Sequence, residues 1–222
     1  IIICDRYSEV NFILRDSKNR IWLTVSTKIK NWMDAISPNI IDGFVALVDK
    51  NGIRIVAEGF HFTNEVRLDA KEEWLYIVET CGRRVSRMRV QPDGSLTDRE
   101  IFGPADTGGF IDGITFDAYG NLWGTHVMID RIFAYTPEGD FRILLDDSDP
   151  KVAAELMKAF DEDRITPEEM VAAGGTIAPW FASVTFGGKD LKTAYIGSLM
   201  GTRIPYFQSP VAGLPMIHWK QD

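Results

Sequence analysis

Apolar and polar residues alternate along most of this chain in short runs, each bounded by Gly, Pro, Asn or Asp, which is the pattern of half-buried β-strands. Four stretches share one template. Residues 112–123 read DGITFDAYGNLW, 11–22 read NFILRDSKNRIW, 64–75 read NEVRLDAKEEWL, and 182–193 read ASVTFGGKDLKT. Each opens a strand, reaches a turn residue five positions later (Asp16, Asp69, Asp117, Gly187), and enters a second apolar strand. The openings are 53, 48 and 70 residues apart, and the last interval shrinks to 44 without the 26 residues of 150–175. A period of roughly 40 to 50 residues holding about four strands is the signature of a β-propeller, so the expected fold is all-β, a single propeller domain over 1–222 with a helical insertion.

The pattern places strands at 11–14, 21–25, 44–48 and 53–57 in the first repeat, with the turn Asp49-Lys50-Asn51-Gly52 closing a hairpin. The second repeat holds 65–68, 74–78, 85–90 and 98–102, and the third holds 114–116, 121–125, 132–135 and 141–145. Residues 1–4 are an apolar run without a partner strand before them, and read as the closing strand of an earlier unit. Residues 26–42 form a long connection with no clean period. Over 150–175 the period changes to helical: Asp149 caps Pro150, and Val152, Ala153, Leu156, Met157 and Phe160 share one stripe. Thr166 to Glu169 then makes a capping box, and Gly174-Gly175 ends the second helix. In an up-and-down blade the connections out of strands two and four leave by the same face. The 26–42 connection and the helices therefore belong on the face where strand one begins, either as packing or as a lid that would bring Met157, Phe160 or Met170 to the channel mouth.

Charge narrows the partners. The chain carries a net charge of −8 and no basic run, which argues against nucleic acid or an anionic membrane as a partner. No apolar run approaches the ~18 residues of a membrane-spanning helix. Cys4 and Cys81 have no metal-ligand spacing and read as reduced core thiols, in keeping with a cytoplasmic protein. The three histidines form no HExxH and there is no G-x-S-x-G, which disfavours zinc-protease chemistry and a serine nucleophile.

Strand one lines the central channel of a propeller, so the first residues of the repeats, Asn11, Asn64 and Asp112, should converge at its mouth. Taken singly, an Asn before a strand or an Asp-Gly pair is a turn element. Their shared register in successive repeats is not demanded by turn chemistry. Amide and carboxylate oxygens suit a hard divalent cation, calcium first, with magnesium, manganese or zinc as alternatives. His126 ends strand two of the third repeat and should reach the same mouth, either at the substrate or satisfied by backbone on the rim.

Residues 63–80 (TNEVRLDAKEEWLYIVET), 110–126 (FIDGITFDAYGNLWGTH) and 183–198 (SVTFGGKDLKTAYIGS) give the chain a resemblance to the senescence-marker-protein, gluconolactonase and luciferin-regenerating-enzyme family of six-bladed propellers. The resemblance implies metal ligation by Asn64 and Asp112, an acid/base role for Asp112 in lactone hydrolysis, and substrate contact or completion of the metal shell by Asn11. Glu9 stands where animal members carry a basic substrate-binding residue, and the family's Glu ligand near the N-terminus has no match. The implied activity is metal-dependent opening of a small sugar lactone, as in the bacterial-type hydrolases. A phosphotriesterase or aryl esterase on the same metal, and a non-catalytic binding propeller, are the alternatives. Outside the insertion the chain holds about four blades at roughly 48 residues each, so two N-terminal blades, about 70 to 80 residues, are expected before Ile1.

Overall fold

The computed structural model describes residues 10–220. The reading of residues 1–4 as a strand, Cys4 as a core thiol and Glu9 as a substrate-side residue falls outside that range. Four antiparallel sheets are arranged as the blades of a β-propeller. The first holds β1 (Val10–Arg15), β2 (Ile21–Val25), β3 (Gly43–Asp49) and β4 (Gly52–Phe60), in that order. The second holds β5 (Thr63–Leu68), β6 (Trp74–Glu79), β7 (Arg84–Val90) and β8 (Leu96–Phe102). The third holds β9 (Phe110–Phe116), β10 (Leu122–Val127), β11 (Arg131–Tyr135) and β12 (Phe141–Asp146). Helices α1 (Pro150–Asp161) and α2 (Pro167–Ala172) follow, then a three-stranded blade of β13 (Phe181–Gly187), β14 (Thr193–Ser198) and β15 (Tyr206–Gln208). The innermost strands pack in succession, β1 on β5, β5 on β9 and β9 on β13.

The repeated turn has one physical design. Asp16 Oδ1 accepts the N–H groups of Lys18 and Arg20 at 2.9 and 2.8 Å, and Asp117 Oδ1 accepts those of Tyr119 and Asn121 at 2.9 and 3.0 Å. The other carboxylate oxygen takes an indole N–H six residues on, Trp22 at 3.1 Å and Trp123 at 3.0 Å. Asp69 has no tryptophan at that place and bonds only the backbone of Glu73 and Trp74. Three residues after each Asp the chain turns left-handed, at Asn19, Glu72 and Gly120. These buried or half-buried aspartates are therefore structural, and the turn reading of the sequence stands.

Each blade contact has its own apolar cluster. Trp22, Leu47, Phe60, Val66 and Ile77 fill the first, Tyr76, Phe102, Ile111, Phe116 and Phe133 the second, and Trp123, Phe181, Val184 and Ile196 the third. A fourth cluster covers the face where strand one begins. Ala35 and Ile36, from a 3₁₀ turn over Trp32–Ala35, join Phe62, Cys81, Phe110 and Met128 of the blades and Leu156, Phe160 and Met170 of the helices. The 26–42 connection and the insertion thus share one face, with Phe160 stacked edge-on against Phe110 at 4.8 Å. The carboxylate of Asp130 holds the return from the helices by accepting the N–H groups of Gly175, Trp180 and Phe181.

Candidate functional site

In every blade strand one carries a β-bulge at the repeat-opening position. The ladder slips between Val10 and Phe12, between Thr63 and Val66, between Ile111 and Ile114 (opposite Gly124 and His126), and between Phe181 and Ser183. A bulge places two residues opposite one, re-aims a side chain, and is over-represented beside active sites. It also displaces backbone N–H groups from the ladder. Threonines on strand two recover two of them: Thr24 Oγ1 accepts from Phe12 N at 3.0 Å and Thr125 Oγ1 from Gly113 N at 3.2 Å.

The bulges of β5 and β9 bring Asn64, Glu65 and Asp112 together. Asn64 is buried, its Nδ2 donating to Thr80 Oγ1 at 3.1 Å, and its amide also hydrogen-bonds Asp112. Glu65 is buried as well; one carboxylate oxygen accepts the Ile114 N–H at 3.1 Å and pairs with Arg67 at 2.9 Å. Burial pushes Glu65 up from the usual carboxylate range against the pull of Arg67. Burial first, and then the neighbouring Glu65 charge, push Asp112 up to about 8, with the Asn64 amide working in the opposite direction. No basic side chain among the described residues pairs with Asp112.

Of the residues expected at the mouth, the structure joins Asn64 to Asp112. Asn11 occupies the equivalent bulge of β1 but is exposed, and its side chain makes no hydrogen bond within the described residues. His126 is fully buried. Its Nε2 lies 3.0 Å from Thr107 Oγ1, its ring leans on Phe133 and Phe141, and burial lowers its pKa to about 3. Its environment is that of a neutral packing histidine under the 107–109 segment, where Gly109 leaves room for the ring. Met157 meets Arg83, and Phe160 and Met170 are core residues of the covering cluster. Glu65 and Thr80 were missed by the sequence reading. Strict alternation assigns Glu65 to the face opposite Asn64, and only the bulge puts both beside Asp112.

The donors gathered here, an amide and two carboxylates of which one lacks any counter-charge, are the hard-oxygen chemistry that suits a divalent cation. Among the described residues no group of three or more His, Cys, Asp or Glu converges, so water or other oxygen donors would have to fill the rest of a calcium shell.

Comparison with known proteins agrees with this architecture. The luciferin-regenerating enzyme superposes with a TM-score of 0.66 at 17% identity, over 94% of this chain and 64% of that one. Regucalcin from Agrobacterium tumefaciens, a calcium-binding protein, superposes with a TM-score of 0.65 at 14% identity, over 93% and 63%. At these identities the likeness shows the shared fold. Serum paraoxonase/arylesterase 2 of Rattus norvegicus is 24% identical over 87 residues, 38% of this chain and 24% of that protein. The chain thus spans less than two thirds of the length of each. Residues 6–146 match the model of the SMP-30/gluconolactonase/LRE-like region, and with the repeat-opening Asn and Asp brought together by matched bulges the chain belongs to that family.

Proposed function

We propose that this chain carries the catalytic residues of a divalent-cation-dependent hydrolase that opens a small sugar lactone, with calcium as the preferred ion. The observation that carries the reading is Asp112, a half-buried carboxylate beside the buried Asn64 and Glu65 with no basic side chain among the described residues paired to it. Family membership points to a lactone, and the calcium-binding relative of the same fold points to the ion. A bound cation would be held by the Asn64 amide oxygen and the Asp112 carboxylate, and would polarise the lactone carbonyl and offset the charge that develops on its oxygen.

The remaining work falls to side chains of this chain. Asp112 draws the proton from the attacking water as the new C–O bond forms at the carbonyl carbon. The ring C–O bond then breaks, and the same proton passes to the departing ring oxygen, leaving a hydroxy acid. Glu65 raises the basicity of Asp112, and its own carboxylate is paired with Arg67 at 2.9 Å. The cover of 26–42, α1 and α2 limits solvent at that face.

The test is turnover of a sugar-lactone panel against an aryl ester and a phosphotriester, with calcium, magnesium, manganese and zinc supplied in turn. Asp112→Asn is expected to keep the fold, to bind calcium at least tenfold more weakly, and to lose most lactone turnover. It should also raise the melting temperature of the cation-free protein at neutral pH, because the cost of folding a carboxylate whose pKa rises to about 8 is removed. Wild-type turnover in Asp112→Asn would overturn the assignment.

A further inference from the structure

We propose that Thr80 is a positioning residue that decides which end of the Asn64 amide faces the cation. The inference rests on the cation site described above and goes beyond it to the group that orients a ligand. Thr80 follows β6 at the head of the turn into β7 and is buried. Its own backbone is held, with its N–H on the Phe62 carbonyl at 3.0 Å and its carbonyl accepting from Arg83 N at 3.1 Å. The hydroxyl therefore has little freedom to wander.

A threonine hydroxyl has one proton to give. Thr80 Oγ1 lies 2.6 Å from the carbonyl oxygen of Ile111, which can only accept, so the proton is committed there. Toward Asn64, at 3.1 Å, the hydroxyl can then act only as an acceptor. The amide group facing it must be the NH₂. The second N–H of that group serves the Asp112 carboxylate, and the carbonyl oxygen of Asn64 is the end left for a cation. With the hydroxyl removed, only the Asp112 carboxylate still selects the NH₂ end, and the half-turn about χ2 that presents N–H groups to the ion gives up one hydrogen bond in place of two.

The same hydroxyl ties two blades. Asn64 stands on β5, and Ile111, the residue before Asp112, stands on β9. The chain Asn64–Thr80–Ile111 thus links the two strands that carry the ligands by side-chain bonds rather than by the sheet ladder. Oriented partners of this kind alter metal affinity about 10- to 100-fold when lost.

The experiment is calcium titration calorimetry on the whole chain, with melting temperature of the cation-free protein as a parallel readout, for Thr80→Val, Thr80→Ser, Asn64→Asp and the double variant Thr80→Val with Asn64→Asp. Thr80→Val should lose at least tenfold in calcium affinity, and Thr80→Ser should stay within about threefold of wild type. The double variant should bind as Asn64→Asp does, because a carboxylate offers oxygen at both ends and needs no orientation. An equal loss from Thr80→Val whether or not Asn64→Asp is present would show a general structural role and overturn the proposal. So would unchanged affinity in Thr80→Val. If wild type binds none of the four cations, the site reading itself fails, and Thr80 falls with it; that outcome is told apart because it appears before any substitution is made.

Discussion

A methyl group at Gly113 would stand 2.6 Å from the Ala182 carbonyl oxygen and 2.7 Å from Ser183 Cα, both backbone atoms of the neighbouring inner strand. Gly113→Ala should therefore push β13 away from β9 and cost roughly 1 to 3 kcal/mol, the range for overpacking a tight contact. The measurement is a urea midpoint with an unchanged m-value, and a cost below about 0.5 kcal/mol would show that the blades have room to give. Asp-Gly in the sequence looks like a turn, and here it is a close approach of two strands inside a bulge. Asn64 and Asp112 were legible because they recur in register. Glu65 was not, since its side of the strand depends on a bulge that the alternation of apolar residues cannot register. His126 was placed at the right end of its strand, but what covers it is the 107–109 segment, distant in sequence and without a pattern of its own.

The elements themselves were read more completely than their uses. Every strand expected in the first three blades is present, extended by one to four residues at some ends where backbone pairing continues past the apolar run. Asp149 caps α1 through Lys151 N and Val152 N, and Thr166 and Glu169 form the reciprocal box at α2, because both signals are local. The 3₁₀ turn at Trp32–Ala35 and the short β15 were not read, the first lacking a period and the second holding only three residues. Whether the helices act as a lid is a question about Phe160, whose ring fills the contact with Phe110. Phe160→Ala should cost about 3 to 5 kcal/mol if α1 unfolds with the blades, a fall of roughly 10 °C in melting temperature. A lid would also show as a higher KM for lactone with kcat kept. If the melting temperature alone moves, the insertion is packing and nothing more.

Across the molecule the blades are joined by apolar clusters and, between the first and second, by a buried ionic junction that responds to pH. Glu79 ends β6 fully buried and accepts from Arg84 at 3.1 Å, from Arg99 at 3.2 Å, from Ser86 at 2.5 Å and from the His61 N–H at 3.1 Å. Arg99 belongs to the outer strand of the second blade and also donates to the carbonyls of Glu58 and Gly59 in the first, with its guanidinium 3.9 Å from the Phe60 ring centroid. Glu79 is thus the charge that holds the fastening arginine between blades. Burial opposes its ionisation, but the bonds from Arg84, Ser86 and His61 outweigh that and hold the carboxyl down at about 2, against an ordinary 4.5. A carboxylate lowered in the folded state stabilises the fold fully above its unfolded value. That contribution, roughly 3 kcal/mol by the shift, is lost as pH falls from about 4.5 through about 2. Glu79→Gln cannot ionise and leaves Arg84 and Arg99 without their anion. The expected result is a melting-temperature gap between wild type and variant that is widest near neutral pH and closes by about 6 to 10 °C between pH 5 and pH 2. Taking the difference cancels every other carboxylate, which titrates alike in both proteins. A gap that stays constant over that range would mean the arginines hold the blades by their bonds to carbonyls and their stacking alone, with the Glu79 charge contributing nothing to the joint.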